Sequence, residues 1–560
     1  MSNRHFAFWP EHVPQHLYVP ETHLWRNAEI SAMRFPHKPF LVFYDTEVSF
    51  GQFAEEAERV AGYLQRECGV GKGDRVLLCM QNSPQFMIAF YGILRADAVV
   101  VPVNPMNLTE ELAHYVEDSG ARVALIAQEL SGRFVPLLER GLQTLIVATY
   151  SDYLRAATAL SVPDFVAAPR TPTEHPRVVS WSDVLERQLA PGPLTGGPDD
   201  LAVMPYTSGT TGHPKGCMHT HRSTMVNAVA GSVWWQLGQG WVGLAVLPMF
   251  HVTGLQAGLN APLYNAGTVV LLPRWDRDAA AACVQRYRVT ALGLITAMVV
   301  DFVSNPRLGE YDLRSLRRIA GGGAAMPRAV AETLEHKMGL KYAEGYGMTE
   351  TMGATHSNPP DRPKAQCLGV PSFDVDARVV DPVTLEPLAD GETGEIVVHG
   401  PQVMLGYWMQ PDATRAAFVE IEGKRFLRTG DLGRVDEEGY FFFVDRLKRM
   451  INVSGYKVWP AEVEALLYQH PAVQEACVIA VRDERRGETV KAVIVLKPAQ
   501  VGQVTAQEII DWAHANMAAY KTPRLVQFVD SLPKSGSGKV MWRTLQEHEN
   551  VAVQAAVNSA

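Results

Sequence analysis

Cysteine is scarce and scattered: Cys68, Cys79, Cys217, Cys283, Cys367 and Cys477 form no CxxC pair. That pattern fits reduced thiols better than a disulfide framework. A basic excess is missing too, since 51 Lys and Arg face 60 Asp and Glu and leave a net charge of -9. The electrostatic footprint of a nucleic-acid binder is therefore absent, and any anionic ligand has to be met by local charge. No run approaches the roughly 18 to 20 apolar residues that cross a bilayer, and the start MSNRHFAFWPEHVP has no apolar core of a signal peptide. The expectation is a chain without a transmembrane segment that acts in the cytoplasm. Peripheral membrane contact and a homo-oligomer are both compatible with it. No fixed-period repeat occurs.

What is present is a chain of 560 residues, 47% hydrophobic and 20% charged, which at roughly 100 to 200 residues per domain implies several folding units. Residues 75–80 read as a buried strand, followed by Ser83 as N-cap and Pro84 as first helical residue of a helix to Leu94. Residues 98–103 read as a second strand. Asn107 and Glu110 then suggest a capping pair for a helix burying Leu112, Tyr115 and Val116, before a strand over 122–127. Similar units at 243–247, 268–272 and 289–295, and a helix opened by Pro327, extend an α/β body with parallel strands past residue 350. Short alternating strands, VDARVV and EIVVHG, mark a β-rich subdomain over 375–400. After Asp445 a helix over 460–468, strands over 473–481 and 490–496, and a helix over 505–516 indicate a small α+β domain.

The most specific segment is YTSGTTGHPKG, Tyr206 to Gly216. Glycines let backbone N–H groups approach oxygen atoms, Thr207, Ser208, Thr210 and Thr211 add hydroxyl donors, and Lys215 adds positive charge, so the loop suits phosphates. It is not a Walker loop: Pro214 precedes the lysine, and Gly216 stands where a magnesium-binding Ser or Thr belongs. Further along come GGGAAMP at 321–327, EGYGMTE at 344–350, TGD at 429–431, DRLKRMINVSGYKV at 445–458 and PKSGSGKV at 533–540. In this order the motifs resemble those of the adenylate-forming superfamily, in its acyl-CoA synthetase branch. The resemblance implies a large N-terminal domain over 1–445 and a small mobile C-terminal domain over 446–560.

It also implies roles. Thr207, Ser208, Gly209, Thr210, Thr211, Gly212 and Lys215 would hold the phosphates of ATP. Lys539 would reach the substrate carboxylate and the α-phosphate, Thr349 would touch the α-phosphate, and Glu350 would ligate Mg²⁺. Gly323, Ala324 and Ala325 resemble the segment along the adenine, Tyr346 the aromatic stacked on the base, and Glu344 a polar neighbour of its amino group. Asp431 would accept from both ribose hydroxyls with support from Arg446. Lys448 occupies the hinge position, and Ser454, Gly455, Tyr456 and Lys457 resemble the loop lining the CoA tunnel. Without the family, each of these is read as a surface charge, an ordinary loop or a core tyrosine.

The stretch LPMFHVTGLQAG, 247–258, resembles one wall of the acid pocket, with His251 near the carboxylate and Met348 close by. Gly347 takes the place of a bulky aromatic that closes the pocket in relatives limited to very short acids. Trp234, Trp235, Met249 and Phe250 are candidates for an apolar lining, with core packing as the alternative. The alternation of Cys217, His219 and His221 is compatible with a metal site, but these residues directly follow the phosphate loop. The expected activity is an ATP-dependent acyl-CoA synthetase acting on a medium- or long-chain fatty acid: acyl-AMP and pyrophosphate form first, then acyl-CoA and AMP. Alternatives are an aryl-CoA ligase, an enzyme that acylates a carrier-protein thiol, and, from a different class, an inactive nucleotide or acyl sensor.

Overall fold

The computed structural model describes residues 3–11, 13–172, 175–207, 214–323, 325–454, 456–483, 486–534 and 540–559. The chain divides into two compact units. One comprises 1–377, 398–427 and 438–440; the other comprises 378–397, 428–437 and 441–560.

The first unit is α/β and carries two large sheets. A seven-stranded sheet has the order Val178–Ser180, Thr144–Ala148, Val123–Ala127, Arg75–Cys79, Val99–Pro102, Leu201–Val203 and His219–Thr220. Its strands run parallel except the last, which returns antiparallel beside Leu201–Val203. The central strands are apolar at nearly every position, as expected where helices cover both faces. A nine-stranded sheet has a parallel centre, Tyr342–Met348, Arg318–Gly322, Ala291–Gly293, Val242–Ala245, Thr268–Leu271 and Pro39–Phe43, with antiparallel strands at both edges.

Local signals place the elements close to where the sequence puts them. Ser83 caps the helix Pro84–Arg95 by accepting from Phe86 N at 3.1 Å. Every residue of that helix except Arg95 is buried, in keeping with its apolar circumference. The expected cap at Asn107 is displaced by one residue. The helix is Thr109–Ser119, its N-cap is Leu108, and Glu111 reaches back to Leu108 N at 2.7 Å.

In the second unit, residues 431–435 of the strand Lys424–Val435 pair antiparallel with Phe441–Arg446. Beyond them a five-stranded sheet orders Tyr456–Val458, Ile451–Val453, Gly487–Leu496 and Val473–Asp483, with Leu525–Phe528 joining the long strand Gly487–Leu496 in parallel. Its helices include Pro460–Leu467 and Ala506–Asn516, the latter capped by Thr505. Ile451, Val463, Leu467, Ile494 and Ile509 form a core of its own.

Candidate active site

The expected residues fall on both units. Ser208, Gly209, Thr210, Thr211, Gly212, Ala324, Gly455 and Lys539 lie outside the described residues.

In the first unit the strand Leu201–Val203 leads to the expected phosphate loop, at whose two ends, its neck, the chain pairs antiparallel. Tyr206 bridges Gly216, Thr207 N donates to Lys215 O at 3.0 Å, and Lys215 N lies 3.4 Å from Thr207 Oγ1. The Tyr206 hydroxyl donates to Asp118 Oδ2 at 2.6 Å, and His114 Nε2 donates to the Pro214 carbonyl at 2.9 Å. Thr207 and Lys215 are thus brought to one place on a braced base.

The chain leaving this neck pairs with 405–408. Met218 N donates to Gly406 O, Leu405 N to Met218 O and Trp408 N to Gly216 O, at 2.8–3.0 Å. That ribbon sets Tyr407, which the sequence reading passes over, beside two expected site residues. Its hydroxyl donates to Glu350 Oε1 at 2.9 Å, and Lys215 Nζ sits 4.9 Å from the centre of its ring. Burial first, then the Glu350 charge, holds the Tyr407 phenol well above its ordinary value, so it remains a donor.

Thr349 and Glu350 form a single 3-10 turn at the end of the strand Tyr342–Met348. The turn is gripped from several sides. His219 Nε2 donates to Thr349 O at 2.8 Å, Met404 N to Glu350 O at 2.8 Å, and Asn227 Nδ2 to Thr351 O at 2.9 Å. His219 is fully buried, and burial pushes its pKa down to about 4, so the neutral ring is the donor. His221 is turned elsewhere, accepting from Leu24 N at 3.3 Å, and Cys217 is a buried thiol raised well above its ordinary value. No group of three His, Cys, Asp or Glu side chains able to hold a metal occurs among the described residues. A single hard carboxylate, Glu350, next to a phosphate loop does fit a Mg²⁺ ion carried largely by nucleotide oxygens and water.

Along the expected adenine segment, Gly323 has φ +88 and Ala325 is exposed. Tyr346 is half-buried, its ring 5.6 Å from His356. Glu344 is buried, with Oε1 accepting from Gln366 N at 2.9 Å. Burial raises its carboxyl to about 7 against the opposing pull of backbone N–H groups of Gln366, Met326 and Cys367.

Strands here approach closely. A Cβ at Gly347 would lie 1.8 Å from Gly353 O, at Gly321 1.9 Å from Leu294 O, and at Gly322 2.3 Å from Gly345 O. Glycine at 347 is therefore required by its own hairpin, whatever the pocket holds. Met348 is half-buried and opens the Thr349 turn.

Opposite in sequence terms, residues 252–265 form one helical stretch with a π segment, Gln256–Asn260. Within it Val252, Leu255, Gln256, Leu259 and Asn260 are buried, whereas Thr253, Ala257 and the preceding His251 are exposed. Asn82 fixes the approach to this stretch, donating to Leu247 O at 3.0 Å and accepting from Met249 N at 2.9 Å. Met249 is buried. Trp234 packs edge-on against Trp9 and Phe373, with ring centres 5.2 and 5.9 Å away, as a core residue.

In the second unit Asp431 and Arg446 come together: they are register partners, and Arg446 Nε lies 2.7 Å from Asp431 Oδ1. Asp431 is 1% exposed, and its backbone N donates to Thr429 Oγ1. Lys448 is exposed in a single 3-10 turn, Leu447–Arg449. Ser454 has φ +53 at the tip of the hairpin joining Ile451–Val453 to Tyr456–Val458. Lys457 pairs there with Asn452, and Tyr456 is exposed and stacked on Tyr520 at 5.0 Å.

Residues 28–408 match the AMP-binding enzyme family, and residues 462–539 match its AMP-binding enzyme C-terminal domain. The chain belongs to the AMP-binding enzyme family. A long-chain-fatty-acid–CoA ligase of Bacillus subtilis (strain 168) is 34% identical to this AMP-binding enzyme over 556 residues, 97% of each chain. A feruloyl-CoA synthase of Amycolatopsis sp. is 35% identical over 522 residues, 92% of this chain and 96% of that one. Among solved structures, ATP-bound MatB from Rhodopseudomonas palustris superposes with a TM-score of 0.81 at 28% identity, covering 94% of this chain and 99% of its own. No helix among the described residues is long and apolar enough to cross a membrane.

Proposed function

We propose that this AMP-forming acid–CoA ligase charges a medium- or long-chain fatty acid. The observation that carries the reading is the helical wall after His251: its exposed positions, Thr253 and Ala257, are small and uncharged, so they suit an apolar chain. The full-length likeness to a long-chain-fatty-acid–CoA ligase points the same way.

The chemistry starts from two anions that repel, a carboxylate and the α-phosphate of ATP. Lys215 and the hydroxyl-rich loop from Thr207 onward would neutralise and orient the phosphates, and Thr349 would hold the α-phosphate. Glu350 would hold Mg²⁺, which when bound supplies further charge neutralisation on the phosphate oxygens. Asp431 would accept from the ribose hydroxyls, with Arg446 fixing its carboxylate. Gly323, Ala324, Ala325, Glu344 and Tyr346 would surround the base. Lys539 would bring its ammonium to the attacking carboxylate as the mixed anhydride forms and pyrophosphate leaves.

For the second step, residues 446–560 would turn at Lys448, withdrawing Lys539 and presenting Ser454, Gly455, Tyr456 and Lys457 to the CoA thiol. The thiol sulfur then attacks the acyl carbonyl, and AMP departs.

The test is a series of saturated acids of graded length, read by acid-dependent pyrophosphate release and CoA-dependent thioester formation. Each methylene should raise kcat/KM roughly fourfold, the worth of about 0.8 kcal/mol of burial, until the pocket is filled. The likeness to a feruloyl-CoA synthase supports an aryl acid as the second reading. Ferulate or benzoate turned over better than every fatty acid would establish it instead.

A further inference from the structure

Tyr407 touches two charged groups that ATP would meet in the first unit, Glu350 and Lys215. Its hydroxyl donates to Glu350 Oε1 at 2.9 Å, and its ring face lies under Lys215 Nζ at 4.9 Å. The side chain is held in place from its own backbone outward. Tyr407 N donates to Thr414 Oγ1 at 2.9 Å, and the flanking residues pair with the strand leaving the phosphate-loop neck. Its neighbour Trp408 is pinned by Nε1 donating to Asp118 O at 3.0 Å, with Arg75 5.0 Å from its ring centre.

Such an arrangement does two separate jobs with one residue. A hydroxyl donated to one carboxylate oxygen fixes that carboxylate's rotation, which decides where its remaining lone pairs point. Partners of this kind around metal-binding carboxylates govern metal affinity. An aromatic face under an ammonium restrains it without removing its charge. We propose that Tyr407 is a positioning residue for the metal–nucleotide complex, its hydroxyl aiming Glu350 at the divalent cation and its ring aiming Lys215 at the phosphates. The first half rests on the reading of Glu350 as the Mg²⁺ ligand.

Two substitutions separate the jobs. Tyr407→Phe keeps the ring and deletes the hydroxyl, while Tyr407→Leu deletes both. Mn²⁺ binding to the full-length protein with adenosine 5′-(α,β-methylene)triphosphate is followed by electron paramagnetic resonance, and metal-free binding of the same nucleotide by calorimetry. Tyr407→Phe should weaken Mn²⁺ binding about tenfold, the scale for losing an outer-shell partner, and leave metal-free nucleotide binding unchanged. Tyr407→Leu should weaken both, the nucleotide by roughly three- to tenfold. Thermal melting of Tyr407→Phe should fall only slightly, since one hydrogen bond to a carboxylate is lost and the ring packing is kept.

Glu350→Gln is the control that separates this inference from the reading beneath it. If Glu350→Gln leaves Mn²⁺ affinity intact, the metal role of Glu350 fails. If Glu350→Gln weakens Mn²⁺ binding but Tyr407→Phe does not, the role of Tyr407 fails. Equal weakening of metal and metal-free nucleotide binding by Tyr407→Phe overturns it as well, because a general structural defect would act on both.

Discussion

The Nε2–H of His219 donates to the carbonyl oxygen of Thr349 across 2.8 Å, joining the strand after the phosphate loop to the Thr349–Glu350 turn. His219 is fully buried, so no water replaces the bond when it is lost. His219→Ala should destabilise the protein by about 2–4 kcal/mol, from an unmade buried hydrogen bond and a cavity. It should also lower adenylation kcat/KM by roughly tenfold through a loosened turn. His219→Gln, which retains a donor, should recover part of both. Denaturant melts and pyrophosphate release check this, and adenylation unaffected by His219→Ala would separate the turn from catalysis.

Acid should unfold the protein early. Burial lowers His23 and His219 to about 4 and His356 to about 3 from 6.5, and His221 well below it. Between pH 6.5 and 4 the unfolded chain binds a proton at each of these sites and the folded chain does not, so stability falls as pH falls through that window. Glu344 acts in the opposite sense. Raised from 4.5 to about 7, it stays protonated in the folded chain while the unfolded chain has released its proton, so its contribution declines as pH rises from 4.5 to 7. Among the described residues five lowered histidines, His470 included, outnumber three raised carboxyls, Glu344, Glu129 and Asp445, and leave a net loss on acidification. Urea midpoints at pH 7, 6 and 5 should decline stepwise, less so in His219→Gln and more so in Glu344→Gln.

Gly347→Ala should be costly despite the exposure of the position. The new Cβ would sit 1.8 Å from Gly353 O and 2.5 Å from its carbonyl carbon, both backbone, so the hairpin has to shift at a cost of about 1–3 kcal/mol. Gly231→Ala is the contrast. That site lies inside the helix His221–Trp234 with nothing within 4 Å of an added Cβ, and the change should stabilise by about 0.5–1 kcal/mol. Melting temperatures moving in the same direction for both would contradict the packing argument.

The two chemical steps should be separable by mutation. Lys539→Ala should reduce adenylation by about 10²- to 10³-fold, the scale for a lost transition-state donor, and spare thioester formation from supplied acyl-AMP. Gly455→Trp should do the reverse by obstructing the CoA approach. Parallel loss of both steps in either variant would argue against a turning C-terminal segment.

The framework was legible wherever the signal was local. Apolar runs bounded by turn residues located the strands Arg75–Cys79 and Thr268–Leu271, and Ser83 with Pro84 located a helix start. The cap expected at Asn107 fell one residue early because the Leu108 N–H is taken up by Glu111, one position after the Glu110 that the sequence pairs with Asn107. Tyr407 was not legible, since its importance comes from two segments distant in sequence pairing side by side. His219 drew notice for a metal-like spacing, but its partner is a main-chain carbonyl that only the folded sheet supplies. Trp234 was a candidate for the pocket lining with core packing as the commoner alternative, and Trp9 and Phe373 pack against it as core neighbours.

At the base of the expected phosphate loop Tyr206 faces Gly216 and Thr207 is bonded to Lys215. With both ends of the intervening segment already anchored, folding meets the entropy of ring closure before a nucleotide arrives. Loosening the Tyr206–Gly216 pairing would return that cost to the binding step, so nucleotide affinity should track how firmly these two ends are held.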